Sequence, residues 1–223
     1  MTLTTDKSGQ PQRLARGYVE PSLDRAINRN ILALDLATRT GWAIATRDGR
    51  ILSGCESFVP RASWDPGQRG LRFKAWLQEM LAHRDVHAIV YEVVIRHGPQ
   101  NMAAAAHLYG LLEGLMWMAA STRQLPVEGV QPTVVKKTWT GSGRADKGAM
   151  VAEAKRRGFR PVDDNEADAL AILDWAVMQE TGGGYRLGDG GLQKVASIAV
   201  PPPARVHAPV RVKKASAAQG ALL

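Results

Sequence analysis

An α/β domain is what the sequence predicts, and three observations predict it. Short aliphatic runs of strand length alternate with stretches whose apolar residues recur every three or four positions. An Asp-Gly pair separates two of the early runs, which is a hairpin signal. One later run, Ala88 to Val94, is apolar throughout, as a strand covered on both faces reads.

Ile31 to Leu36, Gly41 to Thr46 and Ile51 to Phe58 are strand-like runs divided by Thr38-Arg39-Thr40 and by Arg47-Asp48-Gly49, which predicts an antiparallel meander. After Pro66-Gly67, the residues Phe73, Trp76, Leu77, Met80 and Leu81 repeat at helical spacing with one core face. Ala88 to Val94 follows as the fourth strand. Residues 101 to 120 then carry few charges around their circumference, so a helix there needs cover on more than one side. Either it is sandwiched in the core, or it also packs on a second copy of the chain. Pro126 to Val130 is a fifth strand, and Thr133 to Thr138 a short helix. A Gly141-Ser142-Gly143 loop leads to a helix from Asp146 to Arg157, and a last helix spans Asp164 to Gln179.

A chain of 223 residues has room for one domain of about 150 residues plus extensions. We expect a flexible N-terminal extension over 1–29, the domain over 30–182 and a disordered basic tail over 183–223. The net charge of +8 resides mostly in the flanks. The tail region holds Gly182 to Gly184, Gly188, Gly190, Gly191, Pro201 to Pro203 and Lys213-Lys214, with little apolar periodicity to offset the entropy of ordering. Such an arm would attract a polyanion. Cys55 stands alone, which excludes a disulfide framework and a Cys-based zinc site. No apolar stretch approaches the roughly 20 residues of a membrane span and the N-terminus is polar, so the expected location is the cytoplasm.

The acidic residues carry the chemistry. Asp35 and Glu92 each sit at or near the end of an aliphatic run, where a carboxylate is buried at a cost unless something positive neutralises it. A divalent cation is the simplest partner. Asp163-Asp164 and Glu166-Ala167-Asp168 open the last helix, where acids also suit the helix dipole. Asp163 reads as its N-cap. Asp164 and Asp168, four apart, share a helix face, and so do Asn165 and Asp168.

The element order and these carboxylates resemble the ribonuclease H-like superfamily, and within it the RuvC-like Holliday-junction resolvases. The residues that carry the resemblance run from Asn30 to Trp175: Ile31 to Asp35, Thr40-Gly41-Trp42-Ala43, the Glu92 strand, Val135 to Thr138 with Gly141 to Lys147, and Glu166 to Ile172. The resemblance implies a mixed five-stranded sheet with helices on both faces. It also implies a metal-dependent endonuclease that cuts a four-way DNA junction symmetrically as a homodimer. Asp35, Glu92 and Asp168 would be ligands of two magnesium ions, with manganese as a substitute. The family's fourth ligand lies three residues before the final Asp, which is Asn165 here with Asp164 one residue earlier. The expectation favours Asp164 as an adapted ligand with Asn165 as a neutral oxygen donor or water holder, and the sequence leaves the choice between them open. Lys136 and Lys147 fall where the family has basic residues near the site, and either could neutralise phosphate charge.

Two departures stand out. Leu36-Ala37 replaces the family's Pro-Gly after the first Asp, so the turn must differ. Ile95, followed by Arg96 and His97, replaces an aromatic residue, which removes base stacking there and leaves apolar wedging. His97 and His107 read as structural or phosphate-contacting. Trp42, Trp117, Trp139 and Trp175 fall within apolar runs and are expected in the core. Trp64, in a Ser-Trp-Asp-Pro loop, is a candidate for DNA contact. Two other readings are a non-catalytic junction-binding module, and a ribonuclease H-fold enzyme acting on RNA or on other branched DNA. A sugar-kinase-like ATPase would need further phosphate loops and a second domain.

Overall fold

The structure, a computed structural model, describes residues 26–94 and 102–195. Five strands form one sheet: β1 (Ile31–Asp35), β2 (Arg39–Ala45), β3 (Ile51–Ser57), β4 (Ala88–Glu92) and β5 (Val127–Val130), in the order β3-β2-β1-β4-β5. The β1-β2 and β2-β3 pairs are antiparallel, and β1-β4 and β4-β5 are parallel. The meander is therefore as expected. Gly49, at φ +87°, closes the β2-β3 turn in a conformation that favours glycine. At the β1-β2 turn, where Leu36-Ala37 stands, the buried Thr40 hydroxyl donates to the Ala37 carbonyl at 2.8 Å.

Side chains alternate across the sheet with the period of two that strands impose. Leu32, Leu34, Ile44, Ile89 and Tyr91 face α1 (Gln68–His83) and α2 (Met102–Thr122). Ile31, Ala33, Ala43, Ala45 and Val90 face the opposite way, toward α3 (Pro132–Thr140), α4 (Lys147–Arg156) and α5 (Asp164–Glu180). The alanines on that side leave room for α5 to lie close over β1 and β2. Gly41 marks the tightest approach: a Cβ there would stand 1.9 Å from the Asn165 carbonyl oxygen.

Three expectations need correction. The folded part does not stop at 182, because β6 (Tyr185–Gly188) and β7 (Gly191–Lys194) pair as an antiparallel hairpin with Leu187 in the core. The glycines that read as a linker instead end α5 and turn the chain: Gly183 N–H donates to the Met178 carbonyl at 2.8 Å, and Asp189 and Gly190 form the hairpin turn at positive φ. Asp-Gly between two short apolar runs is the local signal for that hairpin. At the other end the extension over 1–29 is ordered in part, since Ile27 is buried and Arg29 pairs with Glu180 at 2.8 Å. The rest of both flanks lies outside the described residues. Finally, of the two arrangements expected for α2, the sandwich within the core does not hold, because one face is uncovered. Leu112, Met116 and Ala120 are buried against the sheet and α1, whereas Leu111, Trp117 and Met118 are exposed. Trp117 is thus not a core residue; Trp139 is.

Candidate active site

Strand parity brings the two strand acids to the same side. Asp35 continues the Ile31, Ala33 face of β1, and Glu92 continues the Val90 face of β4, so both point toward α5. Leu34 pairs with Tyr91, which makes Asp35 and Glu92 neighbours at the next step of the parallel register. Over them lies the first part of α5, held down by the Gly41 contact.

That helix start is built by its own residues. Asp163 is the N-cap, as expected, accepting from Glu166 N–H at 3.0 Å, and it also pairs with Arg39 at 2.9 Å. Glu166 is not part of the site. It is buried, accepts from the Ser53 hydroxyl at 2.6 Å and the Val162 N–H at 2.7 Å, and ties the helix to β3. Asp164 and Asp168 stand one turn apart on either side of it in sequence. Asn165 donates to Asp163 at 3.4 Å.

The electrostatics show which acids meet. Burial, then the like charges of Asp168, Glu92 and Asp164, push the Asp35 carboxyl well above its ordinary range, against the pull of Lys147. Burial and Asp168 raise Glu92 to about 7, with Lys136 opposing. Burial raises Asp168 to about 6, opposed by Lys136 and Lys147 and assisted by Asp164. Asp164 differs: Lys147, the first residue of α4, donates to it and holds its carboxyl below the usual range. Lys136 on α3 faces Glu92 and Asp168 across the site. Four acids and two lysines from five elements therefore share one electrostatic neighbourhood. Among the described residues, no three His, Cys, Asp or Glu side chains are already drawn into a closed ligand set.

Asp35, Glu92 and Asp168 offer carboxylate oxygens that no arginine pairs with among the described residues, and their proton affinity is raised by burial first and by like charge second, against the pull of Lys136 and Lys147. The donor set fits a hard divalent cation, which oxygen ligands bind in preference to nitrogen or sulfur. His107 is exposed on α2 and does not enter the cluster; Ile95, Arg96 and His97 lie outside the described residues. Sequence reasoning missed Asp174, fully buried on α5 among apolar neighbours, and its partners Arg157 and Arg186, which anchor the hairpin.

Comparison with known proteins gives a consistent result. No protein-family model matches the chain. The crossover junction endodeoxyribonuclease RuvC of Nitratidesulfovibrio vulgaris is 30% identical over 156 residues, which span 66% of this chain and 90% of that protein. Those of Rhodopirellula baltica and Anaeromyxobacter sp. strain K are 32% and 34% identical, spanning 64% of this chain and 82% and 77% of theirs. Among solved structures, Thermus thermophilus RuvC in complex with a Holliday junction substrate aligns with a TM-score of 0.59 at 23% identity, covering 70% of this chain and 98% of that one. That likeness supports the mixed sheet with helices on both faces.

Proposed function

The chain belongs to the RuvC family of crossover junction endodeoxyribonucleases, and from that premise we propose that it resolves four-way DNA junctions by paired phosphodiester hydrolysis at the Asp35, Glu92 and Asp168 cluster. The observation that carries the assignment of the site is the convergence of three half-buried carboxylates at the ends of β1 and β4 and on α5, raised first by burial and then by neighbouring like charge.

Asp35, Glu92 and Asp168 would hold two magnesium ions, with Asp164 or Asn165 completing the set. When bound, such a pair supplies an activated water and charge stabilisation for the leaving 3′ oxygen. The carboxylates act as ligands, not as proton carriers. Lys136, which faces Glu92 and Asp168, would meet the scissile phosphate and offset the negative charge that develops. Lys147 occupies Asp164 in the free protein and is the second cation within reach.

A junction has two-fold symmetry, and a C2 dimer presents two such sites to matching strands. The outward face of α2 suits a second copy: Leu111, Trp117 and Met118 are exposed, as is Leu71 on α1, and Gly110 and Gly114 leave open space where side chains would stand. Light scattering at micromolar concentration should give a dimer that Met118→Glu dissociates.

The test is cleavage of a labelled synthetic junction beside duplex, fork and flap of the same sequence, in magnesium and in calcium, with Asp35→Asn as control. Symmetric nicks on the junction alone, absent in the variant while binding persists, are expected. Binding without cutting by the unaltered chain would favour the binding-module reading, and equal cutting of fork and flap would make it a general branch nuclease.

A further inference from the structure

The segment joining β3 to α1 carries an aromatic residue and a charge pattern that the carboxylate site does not use. In register, Asp35 pairs with Gly41 and Gly41 with Cys55, so β3 ends at the same edge of the sheet as the acids. Two strand spacings put the Cys55 backbone about 10 Å from that of Asp35. The chain then leaves β3 at that edge and crosses to the face covered by α1, opposite the face that carries the acids.

This segment is a built turn. Phe58, buried, packs edge-on against Phe73 with ring centres 5.3 Å apart, and its N–H donates to the Thr38 carbonyl at 2.8 Å. Trp64 N–H closes on the Arg61 carbonyl at 3.0 Å. Asp65 accepts from Gly67 N–H through its side chain at 2.8 Å and from Gln68 N–H through its carbonyl at 3.2 Å. The indole of Trp64 is thereby held half-exposed at the surface, with the guanidinium of Arg72 at 4.4 Å from the ring centre and that of Arg61 at 5.9 Å.

Two like charges gather on one exposed ring. Arg39, Arg47, Arg50 and Arg156 each hold a carboxylate. Among the described residues Arg61 and Arg72 hold none, and the stretch from Pro60 to Lys74 has Arg61, Arg69, Arg72 and Lys74 against the single acid Asp65. Cation-π contact at an exposed site is worth only about 0.5–1 kcal/mol, so either guanidinium is readily exchanged for another partner.

We infer that Trp64, Arg61 and Arg72 form a second DNA contact, in which one base of a strand leaving the junction stacks on the indole and its flanking phosphates take the two guanidiniums. The inference rests on the junction-cleaving reading. Stacking on an aromatic side chain flanked by cations is how proteins hold unpaired strands without reading sequence. A base takes the place of Arg61 over the ring, and the displaced guanidinium turns to phosphate, which it meets in a planar, two-pronged geometry.

The experiment is equilibrium binding of the Asp35→Asn chain in calcium to a four-way junction with 2-aminopurine at the branch, alongside cleavage by the unaltered chain. Trp64→Ala should raise Kd about tenfold, within the range that loss of one stacked base gives, and should restore part of the 2-aminopurine emission that stacking quenches. Trp64→Phe should recover most of both. Arg61→Gln with Arg72→Gln should weaken binding and lower the salt slope by one to two units, about 0.9 for each phosphate contact. Kd for Trp64→Ala within twofold of the parent, or Trp64→Phe as weak as Trp64→Ala, overturns the inference while junction cleavage stands. A chain that ignores the junction with Trp64 in place overturns the junction reading and this contact with it.

Discussion

Two acids on α5, six residues apart, meet opposite fates. Asp174 is fully buried and satisfied: Arg186 forks onto it at 2.6 to 3.0 Å, Arg157 reaches it at 3.1 Å, and the Leu187 N–H donates to it at 2.9 Å. Asp168 is less buried yet lies beside Asp35 and Glu92, and its carboxyl is raised to about 6. One helix thus carries a carboxylate whose charge the protein itself compensates and another whose charge it leaves open. Burial alone does not mark a functional acid. Burial without a compensating cation does, since a protein tolerates that cost where something else supplies the charge.

The sharpest way to break this comparison is Asp35→Asn. Cleavage should fall at least about 10³-fold, as loss of a metal ligand removes several kcal/mol of charge stabilisation, while the metal-free protein melts higher because one repelling charge is gone. A lower melting temperature in EDTA would mean that the acids stabilise the fold after all. Next is Arg186→Ala, which leaves the buried Asp174 with Arg157 as its one arginine and should destabilise the chain by about 3 kcal/mol in urea unfolding. The folded fraction should still nick the junction, because Asp174 takes no part in the chemistry.

Gly41→Ala comes third. Its Cβ cannot coexist with the Asn165 carbonyl, so the start of α5 must shift. A displacement near 1 Å at a reacting centre costs about 100-fold in rate, and single-turnover cleavage at saturating protein measures it. The smallest effect is on pH. Glu92 and Asp168 titrate near 7 and 6 in the folded chain, above the ordinary values of 4.5 and 3.8. Between those limits the folded state binds more protons than the unfolded one, so stability falls as pH rises. From pH 5.5 to 8 the metal-free protein should lose roughly 3 kcal/mol, because a tenfold change in proton affinity corresponds to about 1.4 kcal/mol. Saturating magnesium should remove most of that slope, and an unchanged slope would separate the acids from metal.

Much of the site was legible because strands announce themselves. Asp35 and Glu92 end aliphatic runs, and parity then decides which face they share. Asp163 was readable as a cap from its place before a helix. Asp174 and Arg186 were not, because their pairing is a tertiary fact: a charged residue inside Leu173-Asp174-Trp175 and another inside a glycine-rich stretch carry no local sign that they meet. The tie of Glu166 to Ser53 was hidden for the same reason, since the two lie 113 residues apart. The exposed face of α2 was undecidable from composition, because a helix apolar all round does not say which side another element covers.

The hairpin of β6 and β7 sets where this protein can be trimmed. A chain ended at Gly182 keeps every residue of the carboxylate cluster and loses Arg186 and Leu187, leaving Asp174 without its fork and a hole where Leu187 fills the core. An expression boundary drawn at the glycine run would therefore yield insoluble or protease-sensitive material whose failure looks like a fault of the catalytic domain. Placed after Val195, the same cut removes the proline-rich basic stretch and leaves the last strand pair seated, with Val195 N–H still bonded to the Gly184 carbonyl at 2.9 Å.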